Sequence, residues 1–459
     1  MSYSQEDTIC AIATAQGGAI GVIRVSGPLA IAHTSAIFKC AKVGKRLEDC
    51  QPYSLTYGHI TDGTEIVDEV MVSLFKAPHS YTGEDSTEIA CHGSPYILQR
   101  VIQLLISQGC RLAQPGEYTQ RAFLNGKMDL SQAEAVADLI ASTSAATHRL
   151  AMNQMRGGFS KQLATLRDEL LKFTSLIELE LDFSDHEDLE FADRKELHEL
   201  ANHIEQVIAK LVDSFEVGNA IKRGVPVAII GETNVGKSTL LNALLCEDRA
   251  IVSEISGTTR DVIEDTINIQ GITFRFIDTA GIRQTSDVIE NMGIERTFQQ
   301  IDQASIVLWM LDATCALRQY NDLQAQILPH CEGKQLILVY NKEDLASALP
   351  SPSIACEHIA ISAKRGTHLD ELKQLLVQCA HLPEISQADV IVTNARHHEA
   401  LTHALEAIQR VQQGMDMGIS GDFLAQDIRE CIHHLSDIVG EVTTDDTLQF
   451  IFKHFCVGK

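Results

Sequence analysis

VPVAIIGETNVGKSTLLNALL, residues 225–245, decides the fold of the middle of this chain. Its first six residues are an apolar, β-branched run of the kind a buried strand requires, and its last nine place apolar residues at helical spacing. Between them, Gly231-Glu232-Thr233-Asn234-Val235-Gly236-Lys237-Ser238 fits the GxxxxGK[ST] phosphate loop, in the strand–loop–helix context that gives the pattern its meaning. The glycines let backbone N–H groups wrap phosphates at the positive end of the helix. Lys237 is then placed for the β and γ phosphates and Ser238 for Mg²⁺. Asn234, Val235, Gly236 and Thr239 complete the expected phosphate site.

Three further segments follow in the order a Ras-like G domain needs: GTTRD at 257–261, DTAG at 278–281 and NKED at 341–344. Thr259 is expected to complete the Mg²⁺ shell and Asp278 to hold the metal through water, while the Gly281 amide senses the γ-phosphate. Ser253, Glu254, Ile255, Ser256, Gly257 and Thr258 before Thr259, and Thr279 and Ala280 beside Asp278, fall within the expected GTP-binding set. Asp344 accepts from the two N–H groups on the edge of guanine, whereas adenine would leave that carboxylate unpaired, so the nucleotide is GTP. Asn341 is expected to brace the loop and Lys342 to lay its stem over the base, with Ser362-Ala363-Lys364 as the last base-binding loop.

The residue after DTAG is Ile282, which neither donates nor accepts a hydrogen bond, so another group must orient the attacking water. IRQTSDVIENMGIER supplies Asp287, Glu290 and Glu295, and composition does not choose among them. Asn234 has two readings. It braces the phosphate loop, or it joins oxygens of SEISGTT (253–259) in holding a monovalent cation beside the phosphates, where an arginine finger acts elsewhere.

Outward from this core, 459 residues exceed what one hydrophobic core supports, and three domains are expected. The 45% hydrophobic and 22% charged content is that of a globular chain. A net charge of −25 opposes general attraction to membranes or nucleic acid, so any RNA contact needs a local basic patch, for which Lys222 and Arg223, or Arg111, Arg121 and Lys127, are candidates. Twelve scattered cysteines without CxxC, acidic Glu6 and Asp7 near the start, and no apolar run of membrane-spanning length point to a soluble cytoplasmic protein.

TICAIAT, AIGVIRVSG, SLTYGHITDG, IVDEVMVSLFKA and STEIACHG read as strands, followed by a helix at PYILQRVIQLLISQG. Ser131 and Glu134 form a capping-box pattern, after which helical periodicity runs to about 215 and returns from about Asn394. The expected fold is therefore multidomain α/β and α: an N-terminal α+β domain at 1–125, an all-α domain in two parts at 126–220 and 383–459, and an inserted Ras-like P-loop G domain with a mostly parallel sheet at 221–382. The seven acids between Glu178 and Glu190 lack ligand spacing and read as a solvated helix end and loop; Cys91-His92 and His433-His434 read as structural. Cys456 is either a packed terminal cysteine or a nucleophilic or oxidisable thiol.

AIGVIRVSGP, SYTGEDSTEIACHG, PGEYTQRAFLNGKMDLSQAEAVADLI and the terminal FCVGK lie outside the common G motifs, and together they resemble the MnmE (TrmE) family of tRNA-modification GTPases from residue 9 to the end. The resemblance implies a folate-binding, dimerising first domain and a G domain activated by K⁺-dependent dimerisation. It also implies work with an FAD-dependent partner of the MnmG (GidA) type, in a heterotetramer or larger complex. FAD enters through that partner only. The product is an aminomethyl-type group (carboxymethylaminomethyl or aminomethyl) at C5 of the wobble uridine of certain tRNAs, with 5-formyl- or 5,10-methylene-tetrahydrofolate as donor. By motif, Arg24, Glu88, Lys127 and Lys459 become folate contacts, Asn234, Ser253, Ile255 and Thr258 K⁺ ligands, and Glu290 the water-orienting carboxylate; Lys237 and Cys456 complete the expected catalytic set. The chain departs from the pattern at Glu232-Thr233, where Arg-Pro is usual, which puts a negative side chain near the phosphates. The competing readings are a ribosome-assembly-type scaffold GTPase and a folate enzyme with a G domain as sensor.

Overall fold

The computed structural model describes residues 7–15, 17–63, 65–182, 194–248, 265–277, 298–346, 356–380, 390–441, 445–453, 455 and 458. They divide into two compact units.

In the first unit, alternation of buried and exposed residues builds the strands β1 (Ile9–Ile12), β2 (Ile20–Ser26), β3 (Phe38–Cys40), β4 (Leu55–Asp62), β5 (Glu65–Phe75), β6 (Ser86–His92) and β7 (Arg111–Leu112). They form one sheet in the order β3-β4-β5-β6-β2-β1-β7, antiparallel except for the β1–β7 pair. The helix Pro95–Ser107 has Pro95 at its first turn, where a missing N–H is harmless, and lays Leu98, Val101, Ile102 and Leu105 on the core of the sheet. A short helix, Ala30–Ile37, joins the same core, although no sequence signal had marked it.

Helix Leu130–Ala141 begins earlier than the Ser131/Glu134 pattern implies. The reciprocal cap is made by Asp129 and Gln132: Asp129 Oδ1 accepts the Gln132 N–H at 2.9 Å, and Gln132 Oε1 accepts the Asp129 N–H at 3.0 Å. Leu130, fully buried with Ala133, Leu448 and Phe452, draws the start of the helix inward and leaves Ser131 within the first turn. Helix Gly421–Val439 packs along helix Gly158–Asp182, with Arg429 paired to Glu178, and Arg167 pairs with Glu441 just past its end. Segments before and after the G region thus share one helical packing, so the G region is an insertion.

In the second unit, β8 (Val225–Ile230), β9 (Asp265–Ile269), β10 (Ile272–Phe276), β11 (Ile306–Asp312), β12 (Gln335–Asn341) and β13 (Glu357–Ile361) form a sheet in the order β13-β12-β11-β8-β10-β9. All neighbours are parallel except β9, as a Ras-like G domain requires. Apolar residues cover both faces, one packing on helices Lys237–Asp248 and Leu369–Cys379 and the other on Ala316–Ile327, which explains why these strands read as unbroken apolar runs. Helix Arg194–Arg223 runs to a single residue, Gly224 at φ +85°, before β8, so the helix outlasts the expected end near 215. Gly218 sits inside that helix because a Cβ there would stand 2.1 Å from the Val392 carbonyl oxygen.

Candidate functional site

The phosphate loop leaves β8 at Gly231 and enters helix Lys237–Asp248 at its N-terminus, at the carboxyl end of the parallel strands where α/β sheets bind ligands. Two glycines are imposed by close approach: a Cβ on Gly231 (φ +142°) would lie 2.4 Å from the Met310 carbonyl oxygen, and one on Gly236 (φ +103°) 2.2 Å from Asn341 Nδ2. Asn234 occupies the left-handed region at φ +62° and is exposed, while Val235 is buried. Lys237 Nζ donates to the carbonyls of Gly231 (2.7 Å) and Glu232 (2.8 Å), closing the loop on itself. Burial lowers the pKa of Lys237, opposed by the charge of Glu232. Ser238 and Thr239 follow in the first helical turn.

The base-binding segments meet this loop. Asn341, buried at the end of β12, donates from Nδ2 to the Val235 carbonyl (2.7 Å) and accepts the Ala363 N–H at Oδ1 (3.0 Å), so it performs the bracing expected of it and ties three loops together. Lys342, at φ +65°, places its ammonium 2.6 Å from Asp312 Oδ2. Burial pushes the Asp312 carboxyl up, but hydrogen bonds from Lys342 and Thr314 outweigh it and the net direction is down. Asp344 accepts from Ser362 Oγ at Oδ1 (2.8 Å) and pairs with Arg365 Nε at Oδ2 (3.0 Å), each oxygen keeping a second lone pair. Lys364 is exposed on the turn after Ala363. Arg365 and Asp312 carry no motif signal, and only the fold places them here.

In the first unit, Arg24 on β2 and Glu88 on β6 are cross-strand partners, with Arg24 Nε (2.9 Å) and Nη2 (2.7 Å) both donating to Glu88 Oε1. Tyr81 and Tyr118 flank the guanidinium with ring centroids at 5.5 and 5.7 Å, and Arg24 Nη1 donates to the Gly458 carbonyl at 3.3 Å. The C-terminal tail therefore returns to the first sheet: a Cβ on Gly458 would stand 2.6 Å from the Ile12 carbonyl oxygen, and one on Gly116 2.7 Å from the Phe452 carbonyl oxygen.

Models of two protein families match this chain. The GTP-binding protein TrmE N-terminus matches residues 8–127, and the MnmE helical domain matches residues 130–456. The chain belongs to the MnmE family. A tRNA modification GTPase MnmE of Bacteroides fragilis is 70% identical over 464 residues, covering 99% of this chain and 100% of its own length. The one from Bacteroides thetaiotaomicron is 68% identical over 464 residues with the same coverage, and that of Flavobacterium johnsoniae is 51% identical over 465 residues, 99% of each chain.

Of the residues to which MnmE-type roles are transferred, the structure brings Arg24 and Glu88 together and sets Gly458 beside Arg24, but gives Lys127 a separate partner. Its ammonium donates to the Pro78 carbonyl at 2.9 Å, with its stem beside Gly83. Ser253, Glu254, Ile255, Ser256, Gly257, Thr258, Thr259, Asp278, Thr279, Ala280, Gly281, Glu290, Cys456 and Lys459 lie outside the described residues, as do Asp287 and Glu295. Arg111 and Arg121 do not form the basic patch considered from sequence. Glu117, fully buried, binds Arg111 at 2.6 Å and Arg121 at 3.0 Å, and Arg121 also pairs with Glu84. Burial alone would raise the Glu117 pKa, but bonds from Arg111 and the Gln114 N–H, with the Arg121 charge, lower it. Cys91 is a buried thiol whose pKa desolvation pushes up to about 12, and His92 Nδ1 meets Asp68 at 2.7 Å, a structural arrangement. No helix among the described residues is long and apolar enough to cross a membrane.

Proposed function

We propose that this member of the MnmE family uses GTP hydrolysis to drive tRNA modification. With an FAD-dependent partner of the MnmG type, it installs an aminomethyl-type group at C5 of the wobble uridine of certain tRNAs in the cytoplasm, from a tetrahydrofolate one-carbon donor. The four-part division at 125, 220 and 382 belongs to this reading. So do a homodimer through the first domain, a heterotetramer or larger complex with the partner, and K⁺-stimulated pairing of the G domains.

In the GTPase step, the loop amides and Lys237 hold the β and γ phosphates, and Ser238, a hydroxyl at the helix start, is a donor suited to Mg²⁺. Asn234 offers an exposed amide oxygen, the donor type K⁺ takes, with Ser253, Ile255 and Thr258 as its partners. Held by these residues, Mg²⁺ and K⁺ would supply positive charge for the negative charge that develops on the γ-phosphate. Glu290 orients the water in place of Ile282, and Asp344 reads guanine.

The observation that carries the tRNA-modifying reading over a scaffold GTPase is the convergence of Glu88 and the Gly458 carbonyl on Arg24 at the first sheet, Arg24 and Gly458 lying 434 positions apart in sequence. A cation between two aromatic rings beside a carboxylate suits a ligand with carboxylates and a pterin edge. Calorimetric titration of the full chain with 5-formyl-tetrahydrofolate tests it. Binding lost in Arg24→Ala is the expected result; no binding by the unchanged chain moves the reading to the scaffold class.

A further inference from the structure

Glu232 introduces a carboxylate into a loop built to bind anions, and the structure shows how its side chain is held. Glu232 Oε2 accepts from Gln319 Nε2 at 2.8 Å. Gln319 lies on helix Ala316–Ile327 and is 4% exposed. Its Oε1 accepts the Asp312 N–H at 2.8 Å, which fixes the amide: turning it over would set a donor against that N–H and an acceptor against the carboxylate. Asp312 in turn holds Lys342, so a continuous set of contacts runs from the phosphate loop to the guanine loop. The backbone of Glu232 stands within the phosphate site, because Lys237 Nζ is 2.8 Å from its carbonyl oxygen.

We propose that Gln319 is a positioning residue for nucleotide binding, which holds the Glu232 carboxylate against helix Ala316–Ile327 and keeps its charge off the phosphates. The inference rests on this loop being the GTP site. Electrostatic repulsion between a carboxylate and phosphates falls with distance and is strong only near low-dielectric surroundings, so a fixed sideways bond matters more here than on an open surface. Gln319 thereby allows this chain a glutamate at its second loop position.

Gln319→Glu tests the proposal, since it keeps the acceptor for the Asp312 N–H but faces Glu232 with a like charge. In the full chain, the Kd for GTP and GDP is expected to rise about tenfold, the more so at low ionic strength. Glu232→Gln alone keeps the bond, removes the charge and is expected to bind nucleotide as tightly or more tightly. The chain with both changes restores the bond with donor and acceptor exchanged and recovers affinity, which a merely structural role for Gln319 would not produce. Unchanged affinity in Gln319→Glu, or an equal loss with Glu232→Gln present, overturns the proposal. Should Gln319→Glu not fold, weaker binding by Glu232→Gln overturns it. Failure of the unchanged chain to bind GTP would instead remove the GTP site itself.

Discussion

Removing the Asn341 side chain unties the phosphate loop from both base-binding loops at once. Asn341→Ala leaves the Val235 carbonyl and the Ala363 N–H without the partners they have at 2.7 and 3.0 Å, and both residues are at most 5% exposed. A buried polar group left unpaired costs about 1–3 kcal/mol, with a carbonyl tolerating the loss better than an N–H, so the pair together loses about 3 kcal/mol. Trp309, the single tryptophan of the chain and fully buried in the second unit, reports that unit alone by fluorescence during urea unfolding. The same ~3 kcal/mol, where nucleotide must reorder the loops, raises the Kd for GDP on the order of a hundredfold. Gly236→Ala attacks the same amide from the other side, because its Cβ would press on Asn341 Nδ2 and its φ of +103° adds about 1–3 kcal/mol of strain. The two changes break the same bonds, so the double variant falls short of the sum. Strict additivity, or an Asn341→Ala chain matching the unchanged one in both measurements, would refute the bracing role.

Steady-state hydrolysis is expected to run much faster in K⁺ than in Na⁺, with the difference lost in Asn234→Ala; equal rates in both salts dispose of the cation site. Glu290→Ala is expected to bind GTP normally and hydrolyse it slowly, and an unchanged turnover assigns the water to another group such as Asp287 or Glu295. Glu117→Gln removes the buried negative charge between two arginines, while Arg111 keeps Asp7 and Arg121 keeps Glu84, so the first unit should lose about 3 kcal/mol of stability in urea unfolding. The folded pKa of Glu117 lies below its unfolded value. Its stabilisation is therefore complete above about pH 4.5 and fades as pH falls through the folded pKa, a dependence that acid-unfolding curves of Glu117→Gln should lack.

The phosphate loop, NKED and the parallel strands were legible because each is written in consecutive residues: an apolar run, glycines where backbone must approach, and a helix start. The capping box shows where that legibility ends. Both Asp129–Gln132 and Ser131–Glu134 satisfy the pattern, and burial of Leu130 against residues of a helix more than three hundred positions away selected the first. The pairing of Arg111 and Arg121 with Glu117 and Glu84 was equally invisible, since a sequence displays charge but not the neighbour that cancels it.

By itself, then, the sequence determined the nucleotide, the order of the G motifs and the family, all carried by local strings whose chemistry depends on near neighbours. Tertiary structure alone decided that the tail reaches Arg24 and that Gln319 turns Glu232 aside across 87 positions. Those contacts depend on close packing between distant segments, which no local spacing encodes.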